Sequence, residues 1–390
     1  MRTKLIHTAI ASAAALAASC AGASTINIID LGGVTGSNAE KGFKAAAQYW
    51  GNLFTNNVTI NLGVRFASLG TGIIGSTGST RADMTVADWQ SRVNATKSGS
   101  YIDQNAVLPT LTTGGVSGLT VGVNGAGNND TAVTAALNGT QTASRVLYAN
   151  TSVIKAIGGT VANPNALDGS VTFSTNFAFD FNPLDGISAG KMDFLGVAIH
   201  EMGHALGFVS GVDYFDYYGY GNGPGRGSLG GFDLNNTSIF SALDMFRYSA
   251  PGTLDFRTGG APYFSIDGGA TALMGGLFST GRYNGDGRQA SHFKDAAGCS
   301  GQLGIMDPTF CYAQMGEVTG LDLAAFDAMG WNLSVDAMTY RTENSAAIYT
   351  TYVPEPSSIA LMLAAFGAMG GVTRSRRNKA AAALAQAHAS

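Results

Sequence analysis

The chain has 390 residues, of which only 12% are charged, and its formal net charge is −4. Because an average soluble domain has about 25% charged residues, the surface of this protein depends on uncharged polar side chains and on glycine. The lack of a basic excess argues against a nucleic-acid partner, a hydrophobic content of 45% excludes a wholly disordered chain, and three cysteines are too few for a four-cysteine zinc site.

Residues 1–23 have the layout of a secretory signal peptide. Arg2 and Lys4 precede an Ala-rich apolar run, and the segment ends in the small residues Ala-Gly-Ala at 21–23. This order of a basic start, an apolar run and a small-residue step is typical of an export signal. We therefore expect an exported protein that is cleaved after Ala23.

The body of the chain, residues 24–335, predicts an α+β domain with a mixed sheet. Alternating or continuous apolar runs predict strands, and apolar residues at helical spacing predict helices. The predicted strands are 26–29, 58–64 and 172–181, and the predicted helices are 39–54 and 322–331. Residues 68–81 and 112–130 are rich in Gly, Ser, Thr and Asn and are predicted as loops, and 208–290 is predicted as a loop-rich insertion.

Residues 195–207 form an apolar helical pattern that contains the motif His-Glu-x-x-His. His200 and His204 are one turn apart on the same face, so both imidazoles can reach one metal ion. Glu201 is adjacent to them, where it could hold and deprotonate a metal-bound water. Gly207 can end the helix with a positive φ. Burying these three polar side chains without a metal would cost several kcal/mol, so we expect a catalytic zinc site.

A catalytic zinc site requires a third protein ligand and an open position for water. A glutamate from a following helix is excluded, because the next glutamate after Glu201 is Glu317. The body of the chain has only three histidines, and His292 is the one outside the helix. His292 is therefore the preferred third ligand, and Asp213 is the alternative.

Met306 lies in the sequence Gly-Ile-Met-Asp-Pro at 304–308, downstream of His292. Together with the helix motif, this sequence resembles the metzincin metallopeptidases, in which a turn carries a methionine beneath the metal. The long interval between the second and third histidines is similar to that of the leishmanolysin branch. The resemblance implies a metzincin-like zincin fold with one catalytic Zn²⁺. The roles that it implies are zinc ligands for His200, His204 and His292, general base for Glu201 and Met-turn residue for Met306.

Two questions about metal binding stay open at this stage. Ser210 occupies the place where the compact metzincin pattern has its third ligand, so Asp213 is retained beside His292. Asp213, Asp216 and Asp233 lie among glycines and could bind Ca²⁺, although they match no EF-hand pattern.

Cys299 and Cys311 are the only cysteines that remain after signal-peptide cleavage, and they flank Met306. An exported chain can oxidise such a pair. We expect a disulfide that contributes about 3 kcal/mol and makes the turn beneath the metal more rigid.

The C-terminal region begins with Val-Pro-Glu-Pro-Ser at 353–357, and an uncharged stretch runs from there to residue 373 before a basic cluster. Such a stretch is at the short limit for a membrane span, and the cluster would stay on the cytoplasmic side. The combination resembles the bacterial PEP-CTERM sorting signal, which implies recognition by an exosortase in the inner membrane and later removal of the tail. The resulting organisation is a domain at 24–335, a linker at 336–352, a sorting segment at 353–378 and an Ala-rich tail at 379–390.

The sequence therefore predicts a secreted zinc-dependent endopeptidase that acts on protein or peptide substrates. Transient anchoring in the inner membrane would precede delivery to the cell surface or the medium. The alternatives are a surface or extracellular-matrix protein with structural zinc and no peptidase activity, and a metal-dependent hydrolase or binding protein that does not cut peptides. Zinc content without turnover would favour the structural alternative.

Overall fold

A computed structural model describes residues 23–109, 111, 116–117, 119–122, 132–135, 140–219, 221–225, 236–296, 298–299 and 301–353. The predicted signal peptide up to residue 22, the sorting segment beyond residue 353 and the Ala-rich tail lie outside these residues, as does most of the predicted loop at 112–130. Within the described part of the chain, no helix has both the length and the apolar character needed to cross a membrane.

The architecture is mixed α/β. The helices are α1 Asn38–Leu53, α2 Val86–Thr96, α3 Tyr101–Asn105, α4 Thr142–Arg145, α5 Thr151–Ala156, α6 Phe194–Ala205, α7 Val212–Tyr214, α8 Gly320–Met329 and α9 Ser345–Tyr352. The strands are β1 Thr25–Gly32, β2 Thr59–Ala67, β3 Gly75–Ser79, β4 Arg81–Thr85, β5 Val116–Ser117, β6 Leu119–Gly122, β7 Ala132–Ala135, β8 Val146–Asn150, β9 Gly169–Ser174, β10 Phe179–Asp180, β11 Met192–Asp193, β12 Arg247–Ala250, β13 Thr253–Asp255, β14 Tyr263–Phe264, β15 Glu317–Val318 and β16 Glu343–Asn344.

The main sheet has the strand order β1-β2-β9-β3. The strands β1, β2 and β9 are parallel, whereas β3 runs antiparallel to β9 at the edge. The inward residues of β2, namely Ile60, Leu62 and Val64, are fully buried, because helices such as α1 cover the sheet. The edge strand β3 lies beside α6, where the hydroxyl of Ser79 donates to the carbonyl oxygen of His204 at 3.0 Å.

Aromatic side chains from the two ends of the domain hold α6 in place. Trp50 of α1 stacks on Phe54, and Phe54 stacks on Trp331 with ring centroids 4.2 Å apart. Both indoles also donate hydrogen bonds to α6 or its end: Nε1 of Trp50 to the carbonyl oxygen of Ile199 at 3.1 Å, and Nε1 of Trp331 to that of Leu206 at 2.9 Å. The core therefore positions the helix that carries the histidine motif.

Most of the predicted elements agree with the structure, with three differences, the first being that β5 and β6 lie within the predicted loop at 112–130. The predicted loop at 68–81 contains β3, whose sequence of Gly, Ser and Thr gives no side-chain signal for a strand because its pairing is made by the backbone with β9. The predicted strand at 172–181 is divided into β9 and β10 by a turn.

The described residues of the insertion at 208–290 form short elements, including the strands β12, β13 and β14. The segment 336–352, which the sequence suggested as a linker, packs on the domain through β16 and α9. Ile348 is 1% exposed, the hydroxyls of Tyr49 and Tyr340 lie 2.9 Å apart, and the backbone nitrogen of Ser345 donates to Gly316 at 3.0 Å. Residues 336–352 thus form part of the packed domain, because their apolar side chains are covered by α1.

Candidate metal centre

The helix α6 is buried along its whole length and carries the predicted motif. Asp193 occupies its N-cap position and accepts a hydrogen bond from the backbone nitrogen of Gly316 at 2.9 Å. Gly207 has a φ of 128° just after the helix, a conformation that side-chain-bearing residues rarely adopt. The helix therefore ends at Ala205, one residue after His204, and the chain turns away at Gly207 as the sequence predicted.

The side chains of His200, His204 and His292 converge on one point. Their Nε2 atoms lie 3.1 Å apart for His200 and His204, 3.1 Å for His204 and His292, and 3.3 Å for His200 and His292. A tetrahedral zinc ion with Zn–N bonds of about 2.0–2.1 Å requires ligand nitrogens about 3.3 Å apart. The three histidines are therefore spaced as ligands of one metal ion would be, and they could hold one.

The other ring nitrogen of each histidine faces a backbone carbonyl oxygen. Nδ1 of His200 lies 2.6 Å from the oxygen of Ile305, and Nδ1 of His204 lies 2.7 Å from that of Phe208. Nδ1 of His292 lies 3.2 Å from the oxygen of Gln289. A carbonyl can only accept, so each Nδ1 carries the proton and each Nε2 presents its lone pair to the common point. This second layer of hydrogen bonds is characteristic of histidine metal sites.

Burial also favours the neutral form of all three imidazoles. It lowers the pKa of His200 to about 4 and, with the added effect of His200, the pKa of His204 to about 3. Burial and the two neighbouring imidazoles lower the pKa of His292 well below its ordinary value. The residues are therefore unprotonated at neutral pH, which is the form that binds a metal.

Glu201 lies between the helix and the edge strand β3. The residue is 5% exposed, and its Oε2 atom is 2.7 Å from the hydroxyl oxygen of Thr77. Burial raises the pKa of Glu201 to about 7, although the hydrogen bond with Thr77 opposes this effect. On the strand, Gly75 lies so close that a Cβ atom there would collide with Oε1 of Glu201. The carboxylate is thus confined and can exchange a proton near neutral pH.

Met306 lies beneath α6 and is fully buried. A Cβ atom on Gly203 would stand only 2.6 Å from its Sδ atom, so the glycine allows this close approach. The turn that carries Met306 is held by Asp322 of α8, which accepts from the backbone nitrogens of Ile305 at 2.9 Å and Met306 at 3.1 Å.

A disulfide joins Cys299 to Cys311 across this turn, in agreement with the sequence prediction. The pair is separated by 12 positions and encloses Met306. It therefore connects the two ends of the segment that forms the floor of the histidine cluster.

Asp213, the alternative third ligand, does not belong to the group of His200, His204 and His292 that could hold an ion. Its carboxylate accepts hydrogen bonds from the backbone nitrogens of Ala290 at 2.6 Å and Ser291 at 3.1 Å, and from the hydroxyl of Ser291. The Ca²⁺ hypothesis loses support for a similar reason, because the oxygens of Asp216 accept from the backbone nitrogens at 283 and 284, each at 2.8 Å. Asp233 lies outside the described residues.

Sequence reasoning missed several residues that shape the centre. Thr77 and Gly75 lie in a segment that had been predicted as a loop, so nothing indicated that they would contact Glu201. Asp322 did leave a signal: with Thr319 it forms a capping box at the start of α8, and that pattern can be found in a sequence. Its contacts with the turn at Met306 could not be found in this way.

Comparisons with known proteins gave two family matches. Residues 146–249 match the family described as Peptidase M66, and this range includes His200, Glu201 and His204 but not His292. Residues 353–377 match the PEP-CTERM protein-sorting motif. No curated protein and no solved structure matches the chain. The two family matches support an exported, protease-like protein whose tail is recognised by exosortase machinery for delivery to the cell surface.

Proposed function

We propose that the protein is an exported zinc-dependent endopeptidase with a metzincin-like catalytic domain. The observation that carries this proposal is the convergence of three unprotonated Nε2 atoms, 3.1 to 3.3 Å apart, beside the buried carboxylate of Glu201. His200, His204 and His292 would hold the ion. The match of residues 146–249 to a peptidase family supports the same conclusion.

A bound zinc ion would supply Lewis acidity to the substrate carbonyl and would lower the pKa of water in its open position. Structural zinc sites are closed by four protein ligands. Among the described residues, the cluster that could hold an ion consists of three histidines. This ligand set favours a catalytic role over the structural zinc of the alternative hypothesis.

Glu201 is the proposed general base. Its carboxylate would take a proton from the attacking water and return it to the leaving amine. In the protein without metal, burial raises the pKa of Glu201 to about 7, which favours the protonated form that would return the proton to the leaving amine. The hydrogen bond with Thr77 would keep the carboxylate oriented while it changes its protonation state.

The edge strand β3 offers a place for the substrate backbone. It pairs with β9 on one side, and within the described part of the chain no strand pairs with its other side. An extended peptide can add to such an edge through main-chain hydrogen bonds. Because Gly75 and Thr77 of this strand contact Glu201, a peptide bound there would lie next to the proposed base.

The sorting motif at 353–377 adds a route to the cell surface. We propose that its uncharged stretch anchors the protein transiently in the inner membrane, and that exosortase cleavage then releases the domain. Export also suits the disulfide between Cys299 and Cys311, since such bonds persist in oxidising compartments.

Metal removal and replacement test the proposal. Treatment of the purified protein with a chelator should abolish casein cleavage, and one equivalent of Zn²⁺ per chain should restore it. Replacement of His292 by Ala should prevent this restoration, because the third ligand is lost. Cleavage that persists after complete removal of metal would contradict the proposal.

A further inference from the structure

We propose that Asp213 positions the third histidine of the cluster by holding the peptide segment immediately before His292. This inference rests on the proposed role of His292 as a metal ligand. It assigns to Asp213 a function in place of the ligand role that the sequence suggested. The argument depends on what the Asp213 carboxylate contacts and on how the same segment is held from other directions.

The carboxylate of Asp213 receives three hydrogen bonds from two consecutive residues. Ala290 donates through its backbone nitrogen at 2.6 Å, and Ser291 donates through its backbone nitrogen at 3.1 Å and through its hydroxyl. Both carboxylate oxygens are used, and the next residue is His292. Two successive backbone N–H groups bound to one carboxylate fix the orientation of both peptide planes, and thereby the direction in which the His292 side chain leaves the chain.

Arg247 holds the opposite side of the same segment. Its guanidinium is 1% exposed and donates to the carbonyl oxygen of Ala290 at 3.4 Å and to that of Ser279 at 2.7 Å. Ser279 in turn donates from its backbone nitrogen to the carbonyl oxygen of His292 at 3.1 Å. The segment therefore lies between two buried charged groups. The carboxylate of Asp213 accepts from its backbone N–H groups, and the guanidinium of Arg247 donates to the carbonyl oxygen of Ala290.

Ser210 connects this segment to the end of α6. Its backbone nitrogen donates to the hydroxyl oxygen of Ser291 at 2.8 Å, and its own hydroxyl donates to Asp244 at 2.5 Å. Ser210 occupies the place where the compact metzincin pattern has a third ligand. In this protein the same position is joined through Ser291 to the loop that supplies the third histidine. The connection sets the distance between His292 and the two histidines of α6.

Replacement of Asp213 by Asn keeps the shape of the side chain but removes one of its two acceptor oxygens. An amide has one acceptor oxygen and one donor nitrogen, so its nitrogen would face an N–H or O–H group that needs an acceptor. At least one of the three hydrogen bonds is lost, and the segment before His292 gains freedom. Loss of such a supporting contact typically weakens metal affinity by about 10- to 100-fold.

The experiment compares D213N, S291A and a matched control, D216N, in the full chain. Asp216 suits the control because it is also buried, at 2% exposed, and accepts from backbone nitrogens of a neighbouring segment at 283 and 284. The zinc dissociation constant is measured by competition with a chromophoric chelator, and thermal unfolding of the zinc-free proteins shows whether each variant folds. We expect weaker zinc binding by about 10- to 100-fold for D213N and a smaller loss for S291A, with D216N close to the parent.

Cobalt substitution distinguishes a positioning role from ligation. If Asp213 only positions His292, the absorption spectrum of the cobalt-saturated D213N protein should equal that of the parent, although more cobalt is needed to reach it. A changed spectrum at saturation would overturn the proposal, as would parent-like zinc affinity in D213N or an equal loss in D216N. If D213N does not fold, parent-like affinity in S291A would overturn it.

These results are independent of peptidase activity because zinc binding is measured without substrate. A parent protein that binds zinc but does not cut any peptide would contradict the proposed function alone. Equal zinc affinities in the parent and in D213N would contradict only the role of Asp213.

Discussion

The Nδ1 atom of His200 lies 2.6 Å from the carbonyl oxygen of Ile305, the residue that precedes Met306. Ile305 is itself fixed, because its backbone nitrogen donates to Asp322 of α8 at 2.9 Å. One histidine of the helix motif is thus oriented by a turn more than one hundred positions away in the chain. The geometry of the centre therefore depends on this turn as well as on α6.

The first prediction concerns the contact between β3 and Glu201. Replacement of Gly75 by Ala places a Cβ atom against Oε1 of Glu201 and should displace the carboxylate. We expect casein cleavage to fall by at least about tenfold, since small displacements of a catalytic group are costly, while the zinc content stays at the parent level. Cleavage rates and zinc content of the purified variant provide the measurement.

Gly78 provides a matched control in the same strand. A Cβ atom at Gly78 would have the hydroxyl of Ser170 as its nearest neighbour, at 3.4 Å, and would not meet Glu201. Gly78→Ala should therefore retain most of the activity. Equal losses in the two variants would show that the strand backbone, and not the contact with Glu201, determines the result.

The second prediction concerns the packing of Met306 beneath α6. Gly203→Ala introduces a Cβ atom 2.6 Å from Sδ of Met306, so we expect a loss of about 1–3 kcal/mol in the free energy of unfolding. In a Met306→Ala background the Sδ atom is absent, so the Cβ atom at position 203 has room. Gly203→Ala should then cost little free energy of unfolding or even stabilise the helix. Urea unfolding of the two single variants and the double variant measures the coupling. Additive effects would mean that Gly203 and Met306 do not share this contact.

The third prediction concerns the pH dependence of stability. Asp327 of α8 is fully buried, and the side chain of Ser100 only partly offsets the cost of burying its charge. Burial and the nearby charge of Asp103 raise its pKa from 3.8 to about 7. Between these values the folded protein retains a proton that the unfolded chain releases, so this group makes the protein less stable as the pH rises from about 4 to about 7.

Replacement of Asp327 by Asn removes this titration without a change of shape. The variant should gain stability relative to the parent as the pH is raised, by on the order of 2 kcal/mol between about pH 5 and pH 8. Urea unfolding of both proteins at the two pH values measures the difference. If that difference is the same at both values, Asp327 does not titrate in this range in the folded protein.

The fourth prediction concerns the bond between Cys299 and Cys311. Replacement of both residues by Ser should lower the free energy of unfolding by about 3 kcal/mol, according to the loop-closure estimate. The zinc content should not change, because neither cysteine belongs to the histidine cluster. Two free thiols in the native, mature protein would contradict the presence of this bond.

The sequence was sufficient to predict the parts of the centre that depend on local spacing. His200 and His204 are one helical turn apart, and Gly207 ends the helix with a positive φ, so the motif and its helix could be predicted together. His292 was selected because it is the only remaining histidine of the body. That reasoning identified the residue but gave no information about how its segment is held.

The remaining contacts depend on long-range packing that no local pattern encodes. Asp213 is separated from Ser291 by 78 positions, and its acidic side chain among glycines was equally compatible with metal binding. Thr77 contacts Glu201 across 124 positions from a strand of Gly, Ser and Thr. A strand with such small side chains is determined by backbone pairing with β9, which composition does not reveal.

The most direct test of the central claim compares the parent with Glu201→Gln for zinc content and casein cleavage. The substitution keeps the size of the side chain and leaves the three histidines intact, but an amide cannot accept the proton. We predict one zinc ion per chain in both proteins and cleavage in the parent alone. Zinc in both proteins with cleavage in neither would contradict the peptidase function, and a parent without zinc would contradict the three-histidine site itself.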